Sequence, residues 1–174
     1  TVISQNSVSF CPNGSNVDTT SVDAGDNCET LANNPATGAD GCFHGTHVAG
    51  ISVGRTFSGN TGVAPGAGVV GVQVFSKFLD ASSCGSDPVP CVRSYSSDQT
   101  AALEWLFANR VALNLAAANM SLGGGKATAH CNTHPNASII ASLRAAGVAT
   151  TISSGNSGYS DGVGSPSCIE AAIS

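Results

Sequence analysis

Asn136-Ala137-Ser138-Ile139-Ile140-Ala141-Ser142-Leu143-Arg144-Ala145-Ala146-Gly147-Val148-Ala149-Thr150-Thr151-Ile152 is the stretch that decides the fold. Ile139, Ile140 and Leu143 fall at i, i+1 and i+4, which places them on one helix face. Asn136 stands where a helix N-cap belongs, and Gly147 where a helix stops. Val148 to Ile152 is apolar or β-branched, the composition of the next strand. A helix that runs through one glycine into a strand is half of a β-α-β crossover, the connection that joins parallel strands.

The alternation continues upstream. Leu115 to Met120 is another apolar run. Before it, Ser96-Ser97-Asp98-Gln99 resembles a capping box, with Ala102, Leu103, Trp105, Leu106 and Val111 at helical spacing. Val69 to Phe75 reads as a buried strand, and His44 to Gly54 as a helix with Val48, Ala49 and Ile51 on one face. Residues 1–10 read as a weak strand, with Val8 and Phe10 at alternate positions, and Cys11 to Cys42 as a long polar surface loop. The pattern predicts an α/β fold, a parallel sheet with helices on both faces. Ligand chemistry then belongs at the C-terminal ends of strands, where the Gly-rich segments after Met120 and Ile152 lie.

Composition narrows the class. The 174 residues suit one domain, and 10% are charged against about 25% in an ordinary soluble chain. Ala, Gly and Ser together make up 69 residues, which suits close packing under Gly-rich loops. A net charge of −5 argues against a nucleic-acid partner. No apolar run approaches the roughly 18 residues of a membrane span. The chain begins Thr1-Val2-Ile3 without an initiator Met or secretory leader and stops in the apolar stretch Ala171-Ala172-Ile173-Ser174. It reads as a piece of a longer chain or a processed form.

Seven cysteines, at 11, 28, 42, 84, 91, 131 and 168, sit mostly in polar loops and form no C-x-x-C. This favours a disulfide-bonded, exported protein over one with zinc or redox chemistry. Cys84 and Cys91 bracket a short loop that a disulfide would close, and Cys131 with Cys168 is a second expected pair.

Three blocks carry the chemistry. They are His44-Gly45-Thr46-His47-Val48-Ala49-Gly50, Asn119-Met120-Ser121-Leu122-Gly123-Gly124 and Ser153-Ser154-Gly155-Asn156-Ser157-Gly158. As a zinc pair, His44 and His47 lack the glutamate of H-E-x-x-H and a third ligand. With Gly62-Val63-Ala64-Pro65-Gly66-Ala67, the three blocks closely resemble the subtilisin-like serine peptidases over nearly the whole chain. The Cys-rich insertions resemble those of the family's secreted bacterial branch. The resemblance implies that residues 1–174 are the central portion of a single peptidase domain, an incomplete subtilisin-like α/β fold. It makes His44 the general base, a role suited to a group that titrates near neutrality. It makes the Asn156 amide the oxyanion donor, worth about 10²–10³ in turnover in subtilisin itself, the family's archetype. Ser121, Leu122 and Gly123 would pair with an extended peptide as an added strand, and Ser153, Ser154 and Gly155 would wall the primary specificity pocket. His44 and Asn156 are expected near one another at the C-terminal edge of the sheet. The implied partner is a peptide or protein substrate, after removal of a pro-segment in the full-length protein.

The departures are equally specific. The family's triad runs Asp, His, Ser along the chain. No D-[ST]-G holds Asp18, Asp23, Asp26 or Asp40, and none of the 24 serines stands in a G-T-S-M-A-x-P context. The isolated chain is therefore expected to be inactive, and a non-catalytic peptide-binding module is the alternative. No cofactor is expected. Calcium is frequent in the family, but no Asp-rich loop assigns a site and no metal ligand is named. His130-Cys131-Asn132-Thr133-His134 reads as a solvated loop with a disulfide.

Overall fold

The computed structural model describes residues 8–10, 44–55, 59–78, 80–89 and 91–174. The chain divides after Asp98 into two compact units. The expected strand at 1–10 is described only from Val8, and the loop from Cys11 to Cys42, with Asp18, Asp23, Asp26 and Asp40, lies outside the described residues.

In the first unit, β1 (Val8–Ser9) runs parallel to β2 (Val72–Gln73), with Val8 opposite Val72. Phe10 and Val74, just beyond the two strands, are buried. The apolar run of 69–75 thus pairs over a shorter span than its composition predicts. α1 (His44–Val53) forms as expected. Its apolar positions do not make one buried face: Val48 and Ala49 are half-buried, but Ile51 is 70% exposed. Residues two apart on a helix stand about 200° apart, so Ile51 cannot share a face with Ala49.

The carbonyls that end α1 have no partner within the helix, and a distant segment supplies the donors. Gly62 N–H donates to Gly54 O (2.7 Å), Val63 N–H to Ile51 O (3.0 Å) and Ala64 N–H to Ser52 O (2.7 Å). The strap lies so close that a Cβ on Gly62 would sit 2.7 Å from Gly54 N and Ile51 O. The glycine of the Gly-Val-Ala-Pro block is thereby explained.

β3 (Ser76–Phe78) pairs antiparallel with β4 (Cys91–Arg93), and the short helix α2 (Ala81–Cys84) lies between them in sequence. Asp80 caps α2, accepting from Ser83 N–H (2.8 Å) and Ser82 Oγ (2.5 Å), which holds its carboxyl below the usual aspartate value. Cys84 and Cys91 form the expected disulfide, their Cα atoms 5.7 Å apart. Arg93 braces the same loop by donating to Cys84 O (2.7 Å) and pairing with Asp87 (2.6 Å).

α3 (Ser96–Asn109) begins at Ser96 itself and buries Gln99, Ala102, Leu103 and Leu106. In the second unit, β5 (Ala117–Met120) and β7 (Ala149–Ile152) pair in parallel with Asn119 opposite Thr151 and Met120 opposite Ile152. Ile173 extends the pairing on the far edge of β7, through Ile152 N–H to Ile173 O (2.8 Å) and Ile173 N–H to Thr150 O (2.9 Å). α4 (Ala137–Ala145) is the crossover and buries Ile139, Ile140 and Leu143, as its spacing predicts. It stops in a Schellman motif: Gly147 takes φ +81°, its N–H donates to Arg144 O, and Val148 N–H donates to Leu143 O.

At the other end of α4 the structure corrects the sequence reading. Asn136 occupies the N-cap position, but its backbone is already helical and its side chain does not cap. It is 0% exposed, accepts from Thr100 Oγ1 (2.7 Å) and donates to Gln99 Oε1 (2.9 Å). Two partners on α3 outcompete one amide of its own helix. Its backbone N–H donates to His134 Nδ1 (3.2 Å). Partial burial holds the His134 pKa below its ordinary 6.5.

β6 (Gly124–Ala127) and β8 (Val163–Ser165) form an antiparallel pair that the sequence does not announce, with a bulge between Gly124 and Ala127. Cys131 and Cys168 form the second expected disulfide, with Cα atoms 5.3 Å apart. Among the described residues, no helix is long and apolar enough to cross a membrane.

Candidate active site

The parallel register of β5 and β7 delivers two of the three blocks side by side. Because Met120 lies opposite Ile152, the residues that follow, Ser121-Leu122-Gly123 and Ser153-Ser154-Gly155, leave neighbouring strand ends together. They are tied across the gap: Ser153 N–H donates to Met120 O (3.2 Å), and Ser153 Oγ donates to Leu122 O (3.1 Å). Ser121 and Leu122 are half-buried, while Gly123 and Ser153 to Asn156 are exposed. Two polypeptide rims at the carboxyl end of parallel strands are the usual setting for a ligand in an α/β sheet.

A third segment supports both rims. Gly164 N–H on β8 donates to Ser154 O (2.7 Å). A Cβ on Gly123 would stand 2.9 Å from Ser165 O, so the first rim approaches β8 as closely as backbone allows. Gly155 takes φ +108°, a conformation open to glycine, and turns the chain into Asn156. The loop beyond Asn156 returns to β6, where Lys126 Nζ pairs with Asp161 (2.6 Å) and lies 5.3 Å above the Tyr159 ring.

His44 belongs to the other unit, where it is the first residue of α1 and exposed, as is His47. Among the described residues no three His, Cys, Asp or Glu side chains gather as a metal site. Sequence reasoning missed β8 as a support, and it missed Asn119 and Thr151, which face each other beneath the rims. A signal for those two was present, since each is a polar residue one place before the end of its strand.

An α/β scaffold with two rims on adjoining parallel strand ends has the layout in which folds of this class commonly place a ligand site. The subtilase family's sequence profile matches residues 3–174, and the chain belongs to that family. Its similarity to a curated relative points the same way. It is 36% identical over 140 residues to an extracellular serine proteinase of Thermus sp. (strain Rt41A). That alignment covers 80% of this chain and 28% of the relative, so the chain spans well under half of the relative's length.

Proposed function

We propose that the chain is the central portion of the peptidase domain of an exported serine endopeptidase, with peptides or proteins as substrates. The observation that carries this reading is the pair of rims at 121–123 and 153–155, which leave parallel strand ends together and lead into an exposed Asn156. An extended peptide adds to such an edge by main-chain hydrogen bonds. His44 accepts the proton of a serine hydroxyl as that oxygen bonds the scissile carbonyl carbon, and returns it to the leaving amine. The Asn156 amide donates to the oxygen that becomes negative in the intermediate. The serine and the aspartate of the triad come from chain beyond these motifs, since no D-[ST]-G or G-T-S occurs here. Two disulfides and the extracellular relative support export.

The test compares the complete gene product with residues 1–174 alone. In the complete protein, Asn156→Ala should lower kcat about 10²–10³-fold, the size known for subtilisin, with little change in KM. His44→Ala should abolish both turnover and labelling by a serine-directed fluorophosphonate. Residues 1–174 alone should neither hydrolyse peptide esters nor take up the label. Stoichiometric labelling of a serine within 1–174 would overturn the assignment of the nucleophile to chain outside it.

A further inference from the structure

Thr151 and Asn119 face each other across β7 and β5, and their side chains form a directed chain of hydrogen bonds. Thr151 Oγ1 donates to Asn119 Oδ1 (2.8 Å), with Ala118 O a longer acceptor at 3.4 Å. Asn119 Nδ2 in turn donates to Ser121 Oγ (2.8 Å). The amide thus accepts from the threonine on one side and presents its NH₂ to the serine on the other. A hydroxyl has one proton and two lone pairs. With one lone pair of Ser121 filled by Asn119, its own proton is left to be donated outward.

The neighbouring backbone leaves the outer side of this rim open to a peptide. Met120 O and Leu122 O are both bonded to Ser153, so these carbonyls point toward β7. The N–H and C=O of Ser121, between them, make no backbone hydrogen bond among the described residues, which leaves them for an added strand. We infer that Asn119 and Thr151 are positioning residues that aim the Ser121 hydroxyl at a backbone carbonyl of the extended peptide held on this edge. The inference rests on the peptidase reading above and deepens it. Ser121 adds a side-chain donor to the main-chain pairing, and Asn119, being polarised by Thr151, strengthens that donor.

The experiment is a double-variant cycle in the complete gene product, with kcat and KM measured on peptide anilides and melting temperatures measured alongside. Ser121→Ala should lower kcat/KM about tenfold, the worth of one good hydrogen bond. Thr151→Val should lower it about threefold, and Thr151→Ser, which keeps the hydroxyl, should restore it. In the Ser121→Ala background, Thr151→Val should cost nothing further, because the only route by which it acts is gone. Asn119→Ala, at an exposed position, gives the same cycle should the valine variant fold poorly. A purely structural role would instead multiply the two losses in the double variant, and that result, or failure of Thr151→Ser to rescue, overturns the relay. Wild-type kinetics in Ser121→Ala beside an inactive His44→Ala overturns the relay alone. Full activity in His44→Ala overturns the peptidase reading beneath it.

Discussion

Thr150 should be more stable as valine. Its side chain is 2% exposed on β7, and its Oγ1 has no hydrogen-bond partner among the described residues. A buried hydroxyl left unpaired costs about 1–3 kcal/mol. Valine replaces that oxygen with a methyl group of nearly the same size and keeps the β-branched shape the strand favours. Allowing for small shifts in packing, Thr150→Val should gain about 1 kcal/mol, or a melting temperature higher by about 2–4 °C in a chain of this size. Thr151, one residue later on the opposite face, is the control. Its hydroxyl is bonded to Asn119, so Thr151→Val should lose stability by up to about 1 kcal/mol. Urea unfolding followed by circular dichroism reads both, with the m-value unchanged if only the native state is altered. A Thr150→Val midpoint at or below the wild-type value would show that the hydroxyl is satisfied after all.

The remaining predictions concern the same unit and its neighbour. The two disulfides close sequence separations of 37 and 7 residues, and in the chain-entropy model they are worth about 4 and about 2 kcal/mol. Replacing Cys131 and Cys168 by Ala should therefore lower the urea midpoint more than replacing Cys84 and Cys91. Asn136→Ala removes a partner from both Gln99 and Thr100 in a site with 0% exposure, and should cost roughly 2–4 kcal/mol by the same assay. His134 is held below its ordinary pKa by burial, so the unfolded chain binds its proton more readily. Its contribution is complete above pH 6.5 and is lost as pH falls through that value toward the folded pKa, as Nδ1 gives up the Asn136 N–H. The midpoint difference between wild type and His134→Gln should shrink between pH 8 and pH 5, and a difference independent of pH would refute this.

Legibility in the sequence followed local physics. The helix, glycine and strand of 136–152 were readable because their apolar spacing and the Schellman glycine are short-range signals. The rims were readable because glycines crowd where chains approach. β6 was not, since Gly124-Gly125-Lys126-Ala127 has no strand propensity and pairs because β8 is presented to it. Asn136 was misread because a cap position and a buried hub demand the same residue type, and only the partners on α3 distinguish them. That Asn119 and Thr151 are partners, 32 residues apart, became visible only once the register of their two strands was known.

The buried amide of Asn136 has a practical consequence for production. Asn136-Ala137-Ser138 is also an N-x-S acceptor for oligosaccharide transfer in a eukaryotic secretory pathway. Transfer to the nascent chain would attach a bulky sugar to the nitrogen that donates to Gln99. Such a molecule could not close α4 onto α3, so glycan attachment and native packing are mutually exclusive at this asparagine. A yeast or mammalian host would divide its output between a folded fraction unmodified at Asn136 and a fraction glycosylated there and retained as misfolded, whereas a bacterial host avoids the division. Changing Ser138, which is exposed, to Ala would abolish the acceptor signal while leaving the hub intact.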